Sequence, residues 1–290
     1  MKILSTVALA VLACTGLVAQ SFAQRFQEMQ PELDSMHQAM EYKALIDKIE
    51  AFMPPAIPAF DIDAENPDVG LASFYDFEAL QSFHVYLGRA YAMYGHLESA
   101  GSNFKKAEEI ARLNATEIDG VFGPIIQNWN NAGEMSKKAL ENLETIKKQK
   151  EEIEAKGRRQ SRQERELLAR IKEREPFFDE NAPIWQANIE RAPAMVEQLN
   201  LLVSATKEDT GKFAPAIAAL EADVKSEGEM IETKFGGDKA KYVESVIDTK
   251  ENLTSLTTQE DKVKFLNRLL FLDPQNKEVK EQLDSILGKS

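Results

Sequence analysis

Apolar residues recur along this chain at spacings of three and four over nearly its whole length, and no region alternates with a period of two long enough to argue a strand. The pattern predicts an all-α protein. Pro31 opens an amphipathic run with Leu33, Met36, Met40, Leu45, Ile49 and Phe52 that Pro54 and Pro55 end, so an N-terminal helix is expected over 24–53. Residues 54–70 read as a proline-bearing linker, and 71–124 as a helical hairpin. Beyond Gly120 and Pro124, a long helix carries Ile125, Ile126 and Trp129. Leu140, Leu143, Ile146 and Ile153 keep helical spacing, which lapses through Gly157-Arg158-Arg159-Gln160-Ser161-Arg162 and resumes at Leu167, Leu168 and Ile171. This predicts a long charged antiparallel coiled-coil hairpin within 125–237, its tip near 157–161 and too polar to bury. The stretch from Pro176 to Pro183 is expected to break the returning arm, and Pro193 to kink or restart it. Phe213, Ile217, Leu220, Val224 and Ile231 mark another helix, stopped by Gly236-Gly237.

The stretch from His84 to Ala107 places Leu87, Gly88, Tyr91, Gly95, Ala100, Phe104 and Ala107 at the small and aromatic positions of a 34-residue helical repeat. It resembles one tetratricopeptide unit, covering about residues 81–114. His84 stands where that pattern has Trp, and Arg112 where it has Pro. A degraded unit covers about 241–276: Thr257-Thr258-Gln259-Glu260 can cap a helix ending in Phe271-Leu272-Asp273-Pro274, with Lys262, Leu266 and Leu269 where small residues and Phe are expected. Val279, Leu283, Ile286 and Leu287 would line a terminal capping helix, completing a segment over 238–290. The resemblance implies close antiparallel helices, Gly88, Ala100 and Ala107 allowing the approach and Tyr91 and Phe104 filling the gap. Because the spacing does not return every 34 residues, the expected fold is an irregular helical-repeat, tetratricopeptide-like scaffold. Such scaffolds bind a protein or peptide partner.

Lys2 and the apolar run Ile3 to Val18, followed by Ser21-Phe22-Ala23, have the charge, length and end of a secretory signal peptide over 1–23. The protein is therefore expected to be exported, periplasmic or secreted, after cleavage near Ala23. Val11-Leu12-Ala13-Cys14 resembles a lipoprotein box and offers an alternative, a lipid anchor at Cys14. Cys14 is the one cysteine of the sequence, so disulfides are not expected.

The 35 basic and 48 acidic residues give a net charge of −13, which disfavours nucleic acid as a partner. One island opposes this balance. From Lys147 to Lys172, ten basic residues face five acidic ones, a local +5. Arg158, Arg159, Arg162 and Arg165 are the candidate partner-binding residues, able to pair with carboxylates or phosphates of an anionic envelope surface or an acidic partner. The competing reading is a solvated face laced by ion pairs such as Lys148 with Glu152.

Motifs that carry chemistry are weak. His37, His84 and His96 do not stand at metal-ligand spacing, and His84 is expected to cap or pack a helix start. Asp61-Ile62-Asp63-Ala64-Glu65-Asn66 opens like a calcium loop but lacks the sixth-place glycine and the twelfth-place Glu. Asp209-Thr210-Gly211-Lys212-Phe213 lacks the rest of a P-loop. Glu244-Ser245 resembles the Glu-Ser pair of lytic transglycosylases, which keeps open an envelope glycan-acting enzyme with Glu244 as general acid. The leading expectation is a non-catalytic protein-protein interaction scaffold without metal or cofactor; a purely structural coiled-coil spacer is the third.

Overall fold

The computed structural model describes residues 21–54, 56–62, 67–247 and 253–288, so the expected signal run and the Cys14 box lie outside the described residues, as do positions 63–66 of the calcium-like loop. The described residues are helical, without a strand. Among the described residues nine α-helices follow in order: α1 (Phe22–Gln38), α2 (Tyr42–Glu50), α3 (Pro67–Met93), α4 (Leu97–Ala155), α5 (Arg162–Glu208), α6 (Ala214–Phe235), α7 (Lys239–Ile247), α8 (Gln259–Leu272) and α9 (Lys277–Ile286). They form two units. The first holds the described residues up to Glu117 and from Thr206 onward, and the second holds Ile118–Ala205.

The single N-terminal helix expected over 24–53 is two helices. The first starts at Ser21, whose hydroxyl accepts from the Gln24 N–H while the Gln24 side chain accepts from the Ser21 N–H, so a capping box sets the start and Pro31 lies exposed inside the helix. Ala23, expected at the end of the leader, is buried here and donates its N–H to Asp76 at 2.9 Å. Met40 takes a left-handed φ of 57° and ends α1. The break turns Leu33 of α1 and Leu45, Ile46 and Ile49 of α2 onto one cluster with Phe83, Leu87 and Ala90 of α3. Of the linker, residues 67–70 already belong to α3, and Phe60 packs 4.9 Å from Phe77.

Between α3 and α4 the chain turns at Gly95. The close approach expected from small residues is present: a Cβ on Gly88 would stand 2.9 Å from the Phe104 ring, and Leu87, Ala100 and Ala107 are buried. Tyr91 departs from expectation. Its hydroxyl donates to Glu50 of α2, so the ring serves the preceding helix rather than the gap toward α4. Helix α4 also runs straight through Gly120 and Pro124, where a boundary was expected.

The C-terminal segment belongs to the first unit. Thr258 caps α8 by accepting from the Asp261 N–H, and Asn276 caps α9 by accepting from the Val279 N–H. Gly236, at φ 58°, and Gly237 close α6, donating to Glu232 and Ile231. Ile231, Val243, Val263, Leu266, Leu269, Val279 and Leu283 share one core with Tyr42 of α2. Helix α8 also lies on the Gly95 turn, backbone against backbone: a Cβ on Gly95 would stand 2.5 Å from the Asn267 carbonyl oxygen and 2.6 Å from the Arg268 nitrogen.

In the second unit, residues of α4 and α5 turn inward at alternating steps of four and three. On α4 these are Ile118, Phe122, Ile125, Trp129, Ala132, Ser136, Ala139, Leu143, Ile146, Lys150 and Ile153, all buried or half-buried. On α5, Leu168, Ile171, Glu175, Phe178, Ala182, Trp185, Ile189, Ala192, Val196 and Leu199 do the same. The helices run antiparallel. Asn188 donates to Ser136 at 3.2 Å, a Cβ on Gly133 would stand 3.2 Å from Ala192, and toward the connection Lys150 pairs with Glu175 and Lys172 with Glu154. The break expected from Pro176 to Pro183, and the kink or restart at Pro193, do not end the helix: α5 contains all three prolines. Each is exposed, so the prolines lie on the outer face, away from the seam with α4.

Replacing Gly95 should be the most damaging single glycine change, because its positive φ and the Asn267 backbone both exclude a Cβ. Gly95→Ala is expected to destabilise the chain by more than about 2 kcal/mol in urea unfolding, and a loss within about 0.5 kcal/mol would refute the close packing.

Candidate partner-binding site

The arginine cluster lies where α4 passes into α5, and the local sequence explains the turn. Gly157 takes φ 51°, a 3₁₀ turn spans Gly157–Arg159, and the Gln160 side chain donates to the Ile153 carbonyl at 2.7 Å. Ser161 then starts α5 with a second capping box: its hydroxyl accepts from the Glu164 N–H, and its own N–H donates to the Glu164 carboxylate at 2.7 Å. Glu164 also receives Lys156. That lysine, with the Ser161 donors, holds the Glu164 carboxyl down at about 2.

These contacts sort the basic island into two sets. Lys150, Lys156 and Lys172 are taken up by carboxylates, and Arg162 pairs with Glu166 at 3.0 Å. Among the described residues no ion pair involves Arg158, Arg159 or Arg165, and all three are exposed. The ion pair expected between Lys148 and Glu152 is not formed; Lys150 and Lys172 reach across to the opposite helix instead. The surplus positive charge is thereby presented to solvent at the turn. Guanidinium groups there can accept a carboxylate or phosphate without first giving up a partner.

Further along the same helix pair, an open cleft of about 680 Å³ runs past Gly133, Lys137, Ala192, Val196 and Leu201. A second cleft of about 590 Å³ lies in the first unit between α4 and α6, lined by Lys105, Glu109, Arg112, Ile217 and Glu221, with Lys105 paired to Glu221 at 2.6 Å.

The remaining motifs find other uses. In the Asp209 to Phe213 turn the N–H groups of Gly211 and Phe213 do point at an anion, but it is the chain's own Glu108, at 2.6 and 3.4 Å. Glu244 is exposed on α7. No group of three or more His, Cys, Asp or Glu among the described residues could hold a metal ion, and no helix there is long and apolar enough to cross a membrane. His84 is not at a helix start, since α3 begins at Pro67; it is buried in mid-helix with Nδ1 2.9 Å from Asn103 Oδ1. Because the Asn103 amide donates to Ser99 O, its oxygen faces the ring and His84 Nδ1 carries the proton. Sequence reasoning missed Glu108 and Asp76, each of which serves backbone N–H groups distant in the chain, 103 and 53 residues away. Only a charged residue inside an apolar stripe could have drawn notice to Glu108, 6% exposed.

The chain matches no family model, no curated protein and no solved structure.

Burial lowers the pKa of His84 below its ordinary 6.5, outweighing the hydrogen bond to Asn103. The fold thus favours the neutral ring, while the unfolded chain takes up its proton first as pH falls. The stability held by neutral His84 is full above pH 6.5 and is lost as pH falls below 6.5 toward the lower folded value. Thermal melts from pH 7.5 to 5 should therefore show a shallower loss for His84→Gln than for the parent. Equal slopes would refute the assignment.

Proposed function

We propose that this chain is an exported, non-catalytic interaction scaffold or adaptor that binds a protein or peptide partner, with the arginines at the α4–α5 turn as its contact for an acidic or anionic surface. The observation that carries this is the distribution of charge there: carboxylates of the helix pair take up Lys150, Lys156, Lys172 and Arg162, and at the turn Arg158, Arg159 and Arg165 stay exposed and unpaired. The alternating inward steps along α4 and α5 support a coiled-coil hairpin that presents this turn. The approach of Gly88 to Phe104, and the packing of α8 on the Gly95 turn, support a tetratricopeptide-like pairing of the two repeat-like stretches. Export rests on the N-terminal run, with cleavage near Ala23 or lipidation at Cys14 as its two routes. The exposed position of Glu244 gives an envelope glycan-acting enzyme little support, since a general acid of that class works between carboxylates in a cleft.

Affinity capture from the native envelope tests the reading, with Arg158, Arg159 and Arg165 changed together to Glu. Loss of a partner by about tenfold or more, and a flatter dependence of the residual binding on salt, are expected. Capture of the same partners with unchanged salt dependence would leave the turn as a solvated face.

A further inference from the structure

Seven large hydrophobic residues are exposed among the described residues, and five of them lie in the second unit. Phe177 is 56% exposed, Ile184 53% and Met135 70%. A two-helix pair covers only its narrow inward seam, so apolar side chains beside that seam stay wet unless further helices cover them. Ile184 stands seven residues after Phe177, on the same helix face. Asn188 shares that face and donates across to Ser136, next to Met135, so the three exposed side chains border one flank of the pair. The rings of Phe178 and Trp185 support Phe177 from within at 5.8 and 6.1 Å but leave it open outward.

Charge along α5 is polarised. Its first stretch, Arg162 to Lys172, holds four basic and two acidic residues, net +2, whereas residues 173–205 hold six acidic and two basic residues, net −4. Two copies laid flank to flank in parallel would set like charge beside like. Laid antiparallel, each basic stretch meets an acidic one. Phe177 also lies midway between Arg174 and Glu180, about 4.5 Å along the axis from each. A two-fold axis through Phe177 therefore brings Arg174 of one copy level with Glu180 of the other, twice over. Both residues are exposed, and among the described residues neither forms an ion pair.

We infer that the Phe177 flank is a self-association surface: two copies of this chain pair through it, antiparallel, as a four-helix arrangement with Phe177 at the two-fold axis and Arg174–Glu180 pairs on either side. The flank residues are not the turn arginines, which the two-fold sets level with the stretch around Glu190 and Glu197 of the second copy and which are unchanged in the flank variant.

Sedimentation of the full chain tests this. The parent is expected to double its mass over the low micromolar range and to do so less at high salt. The Phe177→Asp, Ile184→Asp double variant should stay monomeric with its helical circular dichroism intact. Arg174→Glu should weaken pairing about tenfold or more, because like charges then meet twice, and Arg174→Glu with Glu180→Arg should restore it. A parent that is monomeric throughout overturns the inference. So does a dimer indifferent to the flank substitutions, or an Arg174→Glu defect that the second exchange fails to rescue, which would place the contact elsewhere. Partner capture through the turn arginines is read separately, by pull-down with the flank variant, so either proposal can fail alone.

Discussion

In the first unit, the contact between the Gly95 turn and α8 joins stretches some 170 residues apart in sequence. At Gly95 the chain reverses between α3 and α4, and the absence of a side chain lets the backbone of Asn267 and Arg268 come within the space a Cβ would occupy. The polar groups released there are all reused. Asn267 donates its amide to the Met93 carbonyl at 2.9 Å, and Arg268 donates to the Gly95 carbonyl at 2.8 Å, satisfying the end of α3 and the turn itself. The guanidinium, 11% exposed, then pairs with Glu227 of α6 and Glu98 of α4 and lies 5.0 Å from the Phe271 ring. One side chain thus ties the Gly95 turn, α4 and α6 to α8. With so little of it exposed, loss of either carboxylate would leave its charge poorly compensated.

The second unit is governed by a different constraint. A helix pair with one narrow seam buries little, so its register depends on what the seam admits: Gly133 against Ala192 where the helices come close, Asn188 with Ser136 beside it, and lysine-carboxylate pairs toward the turn. Ion pairs that span the seam set the alignment of the two arms, and they leave the arginines of the turn outside. Stability of the pair and presentation of charge are then separate matters, served by different residues of one basic island. The same narrowness leaves Phe177 and Ile184 uncovered.

Much of the architecture was legible from local signals. Period and breakers were enough for the all-helical class, for the turn near Gly157 and for the stop at Gly236-Gly237, because each depends on residues within one helical turn of one another. The reading failed where a local signal had two outcomes. Pro31 resembles a helix start, but a capping box ten residues earlier lies inside a stretch that also reads as the end of a leader. Three prolines on α5 predicted a break, and only their position on the outer face, which depends on where α4 lies, shows why the helix survives them. Of the candidate site, the four arginines were visible as a cluster; which of them is free was not, since Arg162 differs from Arg165 only in the partner each can reach.

By itself the sequence determined the all-helical class, the Thr258 cap, the stop at Gly236-Gly237 and the concentration of positive charge in one segment, for these follow from spacing and residue chemistry over a few positions. Tertiary structure decided which groups meet: Gly95 with Asn267, Glu108 with the N–H groups of Gly211 and Phe213, Tyr91 with Glu50, and Lys150 and Lys172 with Glu175 and Glu154 across the helix pair. The reason is physical. A helix needs only its own hydrogen bonds and a favourable stripe, whereas a long-range contact depends on whether two surfaces arrive with matching shape and opposite polarity, a property of the pair that neither segment carries alone.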